Sequence, residues 1–121
     1  MNLVREMLLE LEKMPIDVGA IYFIDADEMH QALPAYDLAT IAYHMELIQE
    51  AGFINAGGSS GSMTGFAYRG LSWNGHEFLD DVRDPDIWRK TRARIDGLAS
   101  VGIQFVWEIA KAEMKKQLGL P

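Results

Sequence analysis

The sequence predicts a mostly helical α+β domain, because an amphipathic helix in its middle is followed by a hairpin pattern and flanked by further helical patterns. The central helix begins after Asp37, which has the position of an N-cap, and ends at Gly52, a residue type common at helix ends. Its apolar side chains recur at helical spacing and therefore share one face: Ile41, Met45, Ile48 and Ala51.

A hairpin pattern follows the central helix. Residues 53–54 start a short apolar strand, residues 57–62 have the glycine-serine composition of a loop tip, and residues 65–71 form the returning strand. Arg69 is the only cation that this hairpin carries. The order helix, hairpin, helix is the outline of a winged helix-turn-helix, with a small antiparallel β-wing over residues 53–71.

Three elements are predicted ahead of the central helix. Residues 2–14 form a first helix whose apolar side chains keep helical spacing: Leu3, Val4, Met7, Leu8, Leu11 and Met14. Residues 20–24 form a short strand, which we expect to pair with the wing as a third strand. Asp25 and Glu28 have the spacing of a capping box and start a short helix over residues 26–32.

Two helices are predicted after the wing. Ser72 caps the first, whose apolar side chains are Trp73, Phe78, Leu79 and Val82. The second has Asp84 as its N-cap and Pro85 at its first helical position. We expect it to bury one face, which consists of Ile87, Trp88, Thr91, Ile95 and Leu98.

The last helix, over residues 101–118, carries two apolar faces. One consists of Ile103, Val106, Trp107, Ala110, Met114 and Leu118. The other consists of Val101, Phe105, Ile109 and Ala112. A helix that is apolar on both sides needs partners on both sides, so we predict a homodimer in which the second face packs across a twofold axis. The alternative is that other helices of the same chain enclose it.

The length of 121 residues fits one domain. We predict a winged-helix core over residues 1–82 and a C-terminal helical extension over residues 83–121, which belongs to the same domain and supplies the dimerisation element. The absence of cysteine excludes disulfides and favours a reducing compartment. No apolar run reaches the length of a leader peptide core or a membrane span, so we expect a cytoplasmic protein without a membrane partner.

The net charge of −7 is unevenly distributed along the chain. Residues 1–82 carry three basic and thirteen acidic residues, whereas residues 83–121 carry eight basic and five acidic ones. No lysine or arginine lies between Lys13 and Arg69, an interval that contains the whole central helix. Because a DNA-binding surface needs cations, this charge distribution is the main argument against DNA binding.

Two segments resemble known families. Residues 41–54, IAYHMELIQEAGFI, are similar to the recognition helix and first wing strand of bacterial winged-helix regulators. Residues 71–83, LSWNGHEFLDDVR, resemble the signature of domain of unknown function 2513, a family of small bacterial and prophage proteins. Residues 2–9, Tyr36 and residues 116–118 also fit that family, so the resemblance covers nearly the whole chain. It implies the winged-helix fold and brings no established activity with it.

The exposed face of the central helix is the candidate binding surface. In a DNA-binding winged helix this face meets the major groove, and here it presents Ala39, Thr40, Ala42, Tyr43, Glu46 and Glu50. Tyr43 and Thr40 can contact a base or a phosphate, but Glu46 and Glu50 would face phosphates without compensation. The lysine that such regulators often have at the position of Glu46 is missing. Ala39, Thr40, Ala42, Tyr43, Glu46 and Arg69 are therefore candidates for binding either DNA or another partner.

The sequence does not indicate an enzyme. His30, His44 and His76 fall on separate elements, and no serine or carboxylate stands with them in a recognisable catalytic order. His76 and Asp80 share a helix face, but two ligands without a third favour a structural histidine over a metal site. We interpret His44, at the edge of the buried stripe, as a packed and hydrogen-bonded residue. We predict no catalytic residue, metal or cofactor.

The sequence leaves two candidate functions open. The first is a non-enzymatic winged-helix regulator of phage or prophage type that binds DNA, with backbone contacts from cations in residues 83–94 and 111–116. The second is an acidic protein-interaction module on the same scaffold, which binds a basic partner and no DNA. The fold favours the first function by analogy, and the charge favours the second.

Overall fold

The computed structural model describes residues 2–14, 20–55, 65–98 and 102–120. Six helices and four short strands occur in these residues, so the predicted mostly helical α+β class is confirmed. In chain order they are α1 (Asn2–Glu12), β1 (Tyr22–Asp25), α2 (Ala26–Ala32), α3 (Leu38–Glu50), β2 (Ile54–Asn55), β3 (Gly65–Tyr68), β4 (Gly70–Leu71), α4 (Trp73–Val82), α5 (Pro85–Ile95) and α6 (Ile103–Gln117).

The chain divides into two compact units, which are called unit 1 (Met1–His76) and unit 2 (Glu77–Pro121). The division falls within α4. The predicted arrangement of a core over residues 1–82 with an extension over residues 83–121 stays a prediction. The predicted glycine-serine loop tip at residues 57–62 lies outside the described residues.

Helices α1 and α2 follow their predicted patterns. The apolar face of α1 is buried and consists of Leu3, Val4, Met7, Leu8 and Leu11. Met14 is only half-buried, because it lies beyond the end of α1 at Glu12, where helical spacing no longer applies. Asp25 is confirmed as the N-cap of α2, since its carboxylate oxygen accepts a hydrogen bond from the backbone N–H of Glu28 at 2.8 Å, which is the first of the two bonds of a capping box.

Helix α3 has the predicted boundaries, and its predicted apolar face is buried except for Ala51, which lies beyond the end of the helix at Glu50 and is half-buried. Ile41, Met45 and Ile48 are almost completely buried. The Asp37 carboxylate accepts a hydrogen bond from the backbone N–H of Thr40 at 2.7 Å and so caps the start of the helix. Gly52 follows its end with a φ of 74°, a left-handed conformation that glycine adopts without steric cost.

Two small antiparallel sheets replace the single hairpin of the prediction. Strand β1 pairs with β3, with Ile24 opposite Phe66, which confirms that the N-terminal strand joins the returning one. Strand β2 pairs with β4, with Ile54 opposite Leu71. The prediction of one continuous strand over residues 65–71 is wrong. The chain bends at Arg69, and the strand pairs with β1 before the bend and with β2 after it.

Helix α4 begins where predicted, and Ser72 connects it to the end of α3. The Ser72 hydroxyl accepts a hydrogen bond from the Gly75 N–H at 3.0 Å and donates one to the Gly52 carbonyl oxygen. Trp73 is the first residue of α4 and is 79% exposed, unlike the other apolar side chains of this helix. The remaining three are buried: Phe78, Leu79 and Val82.

In unit 2, helix α5 starts as predicted. The Asp84 carboxylate accepts hydrogen bonds from the backbone N–H groups of Asp86 and Ile87 at 2.8 and 3.1 Å, with proline at the start of the helix. The buried residues of α5 are Ile87, Trp88 and Thr91. Leu98 is 55% exposed, so its predicted burial is wrong. The helix ends at Ile95, and the helical spacing that would have placed Leu98 on the buried face ends with it.

Helix α6 packs against α5 within unit 2. The Trp107 indole N–H donates a hydrogen bond to an Asp81 carboxylate oxygen at 2.7 Å, and its ring meets Phe78 edge to face with centroids 5.7 Å apart. Glu113 is buried and forms an ion pair with Arg94, with a nitrogen to oxygen distance of 3.1 Å. Polar contacts as well as apolar packing therefore hold α6 in place.

Candidate functional site

The candidate surface lies on the side of α3 opposite its buried stripe. Tyr43 is 59% exposed, and Ala39 and Glu46 are exposed as well. Thr40 and Ala42 are half-buried at the edges of this surface. The structure therefore brings five of the six candidate residues together on one helix. These five, together with the exposed Glu50, are called the α3 face below.

Contacts at the start of α3 set the direction in which the α3 face points. The Tyr36 hydroxyl donates a 2.6 Å hydrogen bond to the Glu6 carboxylate, which joins the segment before α3 to α1. The backbone N–H of Thr40 bonds to Asp37 and holds the pKa of that carboxyl below its usual value. An ionised carboxylate therefore caps the helix at neutral pH.

Arg69, the sixth candidate, lies outside α3, at the bend between β3 and β4. Its side chain is exposed, and no described carboxylate lies within ion-pair distance of it. Lys13, another cation of unit 1, forms an ion pair with Glu10 at 3.0 Å. The α3 face itself carries two carboxylates and no cation.

Carboxylates also occupy the helix ends that could bind phosphate. The N-terminus of a helix attracts anions because its first N–H groups lack partners and the helix dipole is positive there. Asp25, Asp37 and Asp84 accept hydrogen bonds from these groups in α2, α3 and α5. A nucleic acid phosphate at any of these ends would have to displace an acidic side chain.

The cations of unit 2 are largely paired with neighbouring carboxylates. Arg89 and Lys90 both contact Asp86, and Arg94 contacts Glu113. Over its whole length unit 2 contains eight basic and eight acidic residues, whereas unit 1 contains three and ten. Cations without a carboxylate within ion-pair distance, among the residues described, are Arg92, Lys111 and Lys115.

His44 and His76 lie on different helices, α3 and α4. His44 is half-buried and its Nδ1 lies 2.8 Å from the Thr40 carbonyl oxygen. A carbonyl only accepts, so Nδ1 carries the proton, and the predicted packed and hydrogen-bonded role of His44 is confirmed. His76 is exposed, and Asp80 pairs with Arg83 at 3.2 Å. The described part of the chain contains no cluster of three or more residues that could bind a metal.

The predicted dimer residues have different environments in the structure. Phe105 is 54% exposed, Ala112 is half-buried, and Ile109 is buried within the chain. Val101 lies outside the described residues. The exposed part of this second face of α6 is therefore narrower than the sequence pattern suggested. In the described residues, no helix has both the length and the apolar character needed to cross a membrane.

Several exposed apolar residues of unit 1 were not predicted from the sequence: Ile21, Phe23, Leu38 and Trp73. Leu38 and Trp73 are the first residues of α3 and α4, and both are exposed. A helical wheel assigns residues to faces but does not show which turns of the helix have neighbours. The only sequence signal for the exposure of Leu38 and Trp73 was their position directly after an N-cap.

Comparisons with known proteins place the chain among sequences without an assigned activity. A family model described as "Hypothetical protein (DUF2513)" matches residues 1–102. A curated protein from Haemophilus influenzae (strain ATCC 51907 / DSM 11121 / KW20 / Rd), named "Uncharacterized protein", is 32% identical over 119 residues, which cover 97% of this chain and 95% of the relative. No solved structure matches.

Proposed function

The chain belongs to the DUF2513 family, and we propose that it is a non-enzymatic winged-helix regulatory protein of phage or prophage type that binds a basic protein partner through the α3 face. The observation that carries this proposal is the exposed Tyr43 on a helix face with two carboxylates and no cation. An exposed aromatic side chain among acidic groups suits a protein surface rich in lysine or arginine.

The order of the elements in unit 1 supports the winged-helix assignment. Three helices are followed by short antiparallel strands, and β1 pairs with the strand that returns after α3. Helix α3 has the place of a recognition helix in this order, with one side buried and the other exposed. The assignment is made by analogy of fold, so the function is argued from the α3 face itself.

A protein partner suits this surface better than DNA because of electrostatics. Duplex DNA carries a dense array of phosphates, and binding requires several of them to be neutralised by cations. Glu46 and Glu50 would instead repel phosphates, while the same carboxylates attract a cationic protein. The absence of cysteine in the sequence favours a cytoplasmic location for this interaction.

DNA binding is the second candidate, favoured by the exposed Arg69 and by the cations of unit 2. Arg92 and Lys115 are exposed without a described ion-pair partner and are available for phosphate contacts. DNA binding is disfavoured because Arg89, Lys90 and Arg94 pair with neighbouring carboxylates. The balanced charge of unit 2 also disfavours it.

Homodimerisation through α6 is part of the proposal. The exposed ring of Phe105 supports it, because a large apolar side chain on a helix is a common centre of a protein interface. Ile109 is already buried within the chain, so Phe105 and Ala112 would make most of the contact.

The test compares variants of the α3 face in affinity capture from host lysate. Tyr43→Ala and Glu46→Lys are compared with wild type and with the control Glu77→Lys, a charge reversal at an exposed position of α4. We expect both α3 variants to lose the captured protein and the control to retain it. Tyr43→Ala should weaken binding of the purified partner about tenfold, a typical effect for an aromatic interface residue.

Duplex DNA is tested in parallel, by fluorescence anisotropy at about 50 and about 200 mM salt, because phosphate contacts weaken steeply over this range. The proposal predicts no measurable DNA binding. Salt-sensitive binding that Arg92→Ala weakens would favour the DNA function instead. Capture that survives both α3 substitutions would show that the α3 face is not the binding surface.

A further inference from the structure

A cavity of about 180 Å³ opens in unit 1 between the end of α1, strand β1 and helix α2. Its apolar wall consists of Leu11, Met14, Ile24 and Met29. Three of these side chains are almost completely buried, and Met14 is half-buried. Ala32 also lines the cavity and is itself exposed, so it marks the opening to solvent.

Two carboxylates, Glu10 and Glu28, complete the lining. Glu28 is exposed at the start of α2, and no cation lies within ion-pair distance of its carboxylate among the residues described. Glu10 pairs with Lys13 at 3.0 Å, but the Lys13 side chain is largely exposed, and such a surface pair contributes little. The rim of the cavity is therefore acidic and can accept another cation.

We propose that this cavity binds a small primary alkylammonium ion. The alkyl chain would lie among Leu11, Ile24 and Met29, and the ammonium group would bond to the carboxylates at the rim. A cavity of about 150 Å³ lined by apolar side chains accommodates a benzene molecule, so a chain of about four carbons fits here. A drug-sized ligand usually occupies a pocket of about 300 Å³ or more and is too large.

Charge decides between an ammonium ion and other ligands of this size. An alkyl carboxylate would bring a third negative charge beside Glu10 and Glu28. A neutral alcohol would fill the apolar part but gain no ion pair. The ammonium group alone offers three donors to carboxylate oxygens that only accept. This inference is independent of the proposed function, because none of the residues lining the cavity belongs to the α3 face.

The test measures binding of n-butylammonium to the whole protein, with 1-butanol and butyrate as probes of equal chain length. Titration calorimetry gives the affinities, and NMR of ¹³C-methyl methionine locates the ligand, since Met14 and Met29 line the cavity. The chain contains seven methionines, so Met14→Leu and Met29→Leu are both used to assign these two signals. We expect butylammonium to bind at least about tenfold more tightly than either probe, and both methionine signals to shift.

Two substitutions and a matched control separate specific binding from a general charge effect. Glu28→Gln should weaken butylammonium binding about fivefold, and Ala32→Leu should block the opening and abolish it. Asp27→Asn removes the same charge from the same helix, outside the cavity lining, and should change the affinity less than about twofold. Tyr43→Ala should leave it unchanged.

The inference is overturned if butylammonium binds no more tightly than butanol, or if Asp27→Asn weakens binding as much as Glu28→Gln. Unshifted Met14 and Met29 signals at saturation would also overturn it. Thermal denaturation shows whether each variant is folded. If Ala32→Leu does not fold, Glu28→Gln still tests the inference.

Discussion

Tyr68 shows how a single buried side chain can affect stability. Its ring is almost completely buried on β3, and its hydroxyl donates a 3.0 Å hydrogen bond to the Leu11 carbonyl oxygen, which joins the sheet to α1. Burial raises the pKa of Tyr68 to about 12, with a smaller contribution from the negative charge of Glu12. The folded protein therefore holds this phenol in its neutral, donating form.

The raised pKa predicts a loss of stability at alkaline pH. The stabilisation is complete below the pKa of an unfolded tyrosine, about 10, and is lost as the pH rises through about 12. Tyr68→Phe should cost about 1 kcal/mol at pH 8 by removing the hydrogen bond, and less at pH 11. Urea unfolding of both proteins at several pH values measures this difference. A difference that does not depend on pH would contradict the explanation.

At the scale of elements, the packing of α4 against the segment after α3 depends on Gly75. A Cβ atom at position 75 would lie 2.0 Å from the Phe53 carbonyl oxygen, so the backbones could not keep their present distance. This close approach gives a physical reason for the glycine in the segment WNGHEFLD, where helix propensity alone would favour alanine.

Gly75→Ala should therefore destabilise the protein by about 2 kcal/mol, because one of the two backbones must move. Asn74→Ala is the matched control: it adds helix propensity at an exposed neighbouring position and should leave the free energy of unfolding within about 0.5 kcal/mol of wild type. Chemical denaturation measures both variants. Equal stability of the two variants would show that the contact at position 75 relaxes without cost.

Helix α3 combines a buried face with the proposed binding face. Its stripe of Ile41, Met45 and Ile48 is buried, whereas Tyr43 and Glu46 are exposed on the other side. Because exposed substitutions usually change stability little, the α3 variants proposed above can remove binding without unfolding the helix. A variant that loses both binding and thermal stability would not test the proposal.

For the whole molecule, the proposal assigns dimerisation to α6. If Phe105 is at the centre of a twofold interface, Phe105→Asp places two buried carboxylates opposite each other and should convert the dimer to a monomer. Sedimentation velocity over a range of concentrations measures the oligomeric state. Gln104→Asp, at the neighbouring exposed position of the same helix, is the control. A monomeric wild-type protein would contradict the dimer prediction.

The uneven charge is also a property of the whole molecule. Unit 1 contains ten acidic and three basic residues, so its field attracts cations well beyond any single contact. The proposed protein partner of the α3 face and the proposed ammonium ligand of the cavity both agree with this field. High salt should weaken both interactions, because it screens exposed charges.

Features that depend on local interactions could be predicted from the amino-acid sequence. Asp25, Asp37 and Asp84 cap helices at the predicted residues because a cap needs only a side chain and the N–H groups of the next turn. The buried faces of α1 and α3 were predicted because helical periodicity puts their apolar residues on one side. The exposed position of Tyr43 followed from the same periodicity.

Features that depend on contacts between distant segments could not be predicted from local patterns and became visible in the folded chain. Leu98 and Trp73 have suitable apolar side chains, yet both are exposed, because Leu98 lies past the end of its helix and Trp73 stands at the first position of its own. The returning strand divides at Arg69 because β1 and β2 pair with different parts of it. The cavity forms between three elements, and no local pattern indicates a space whose walls come from separate segments.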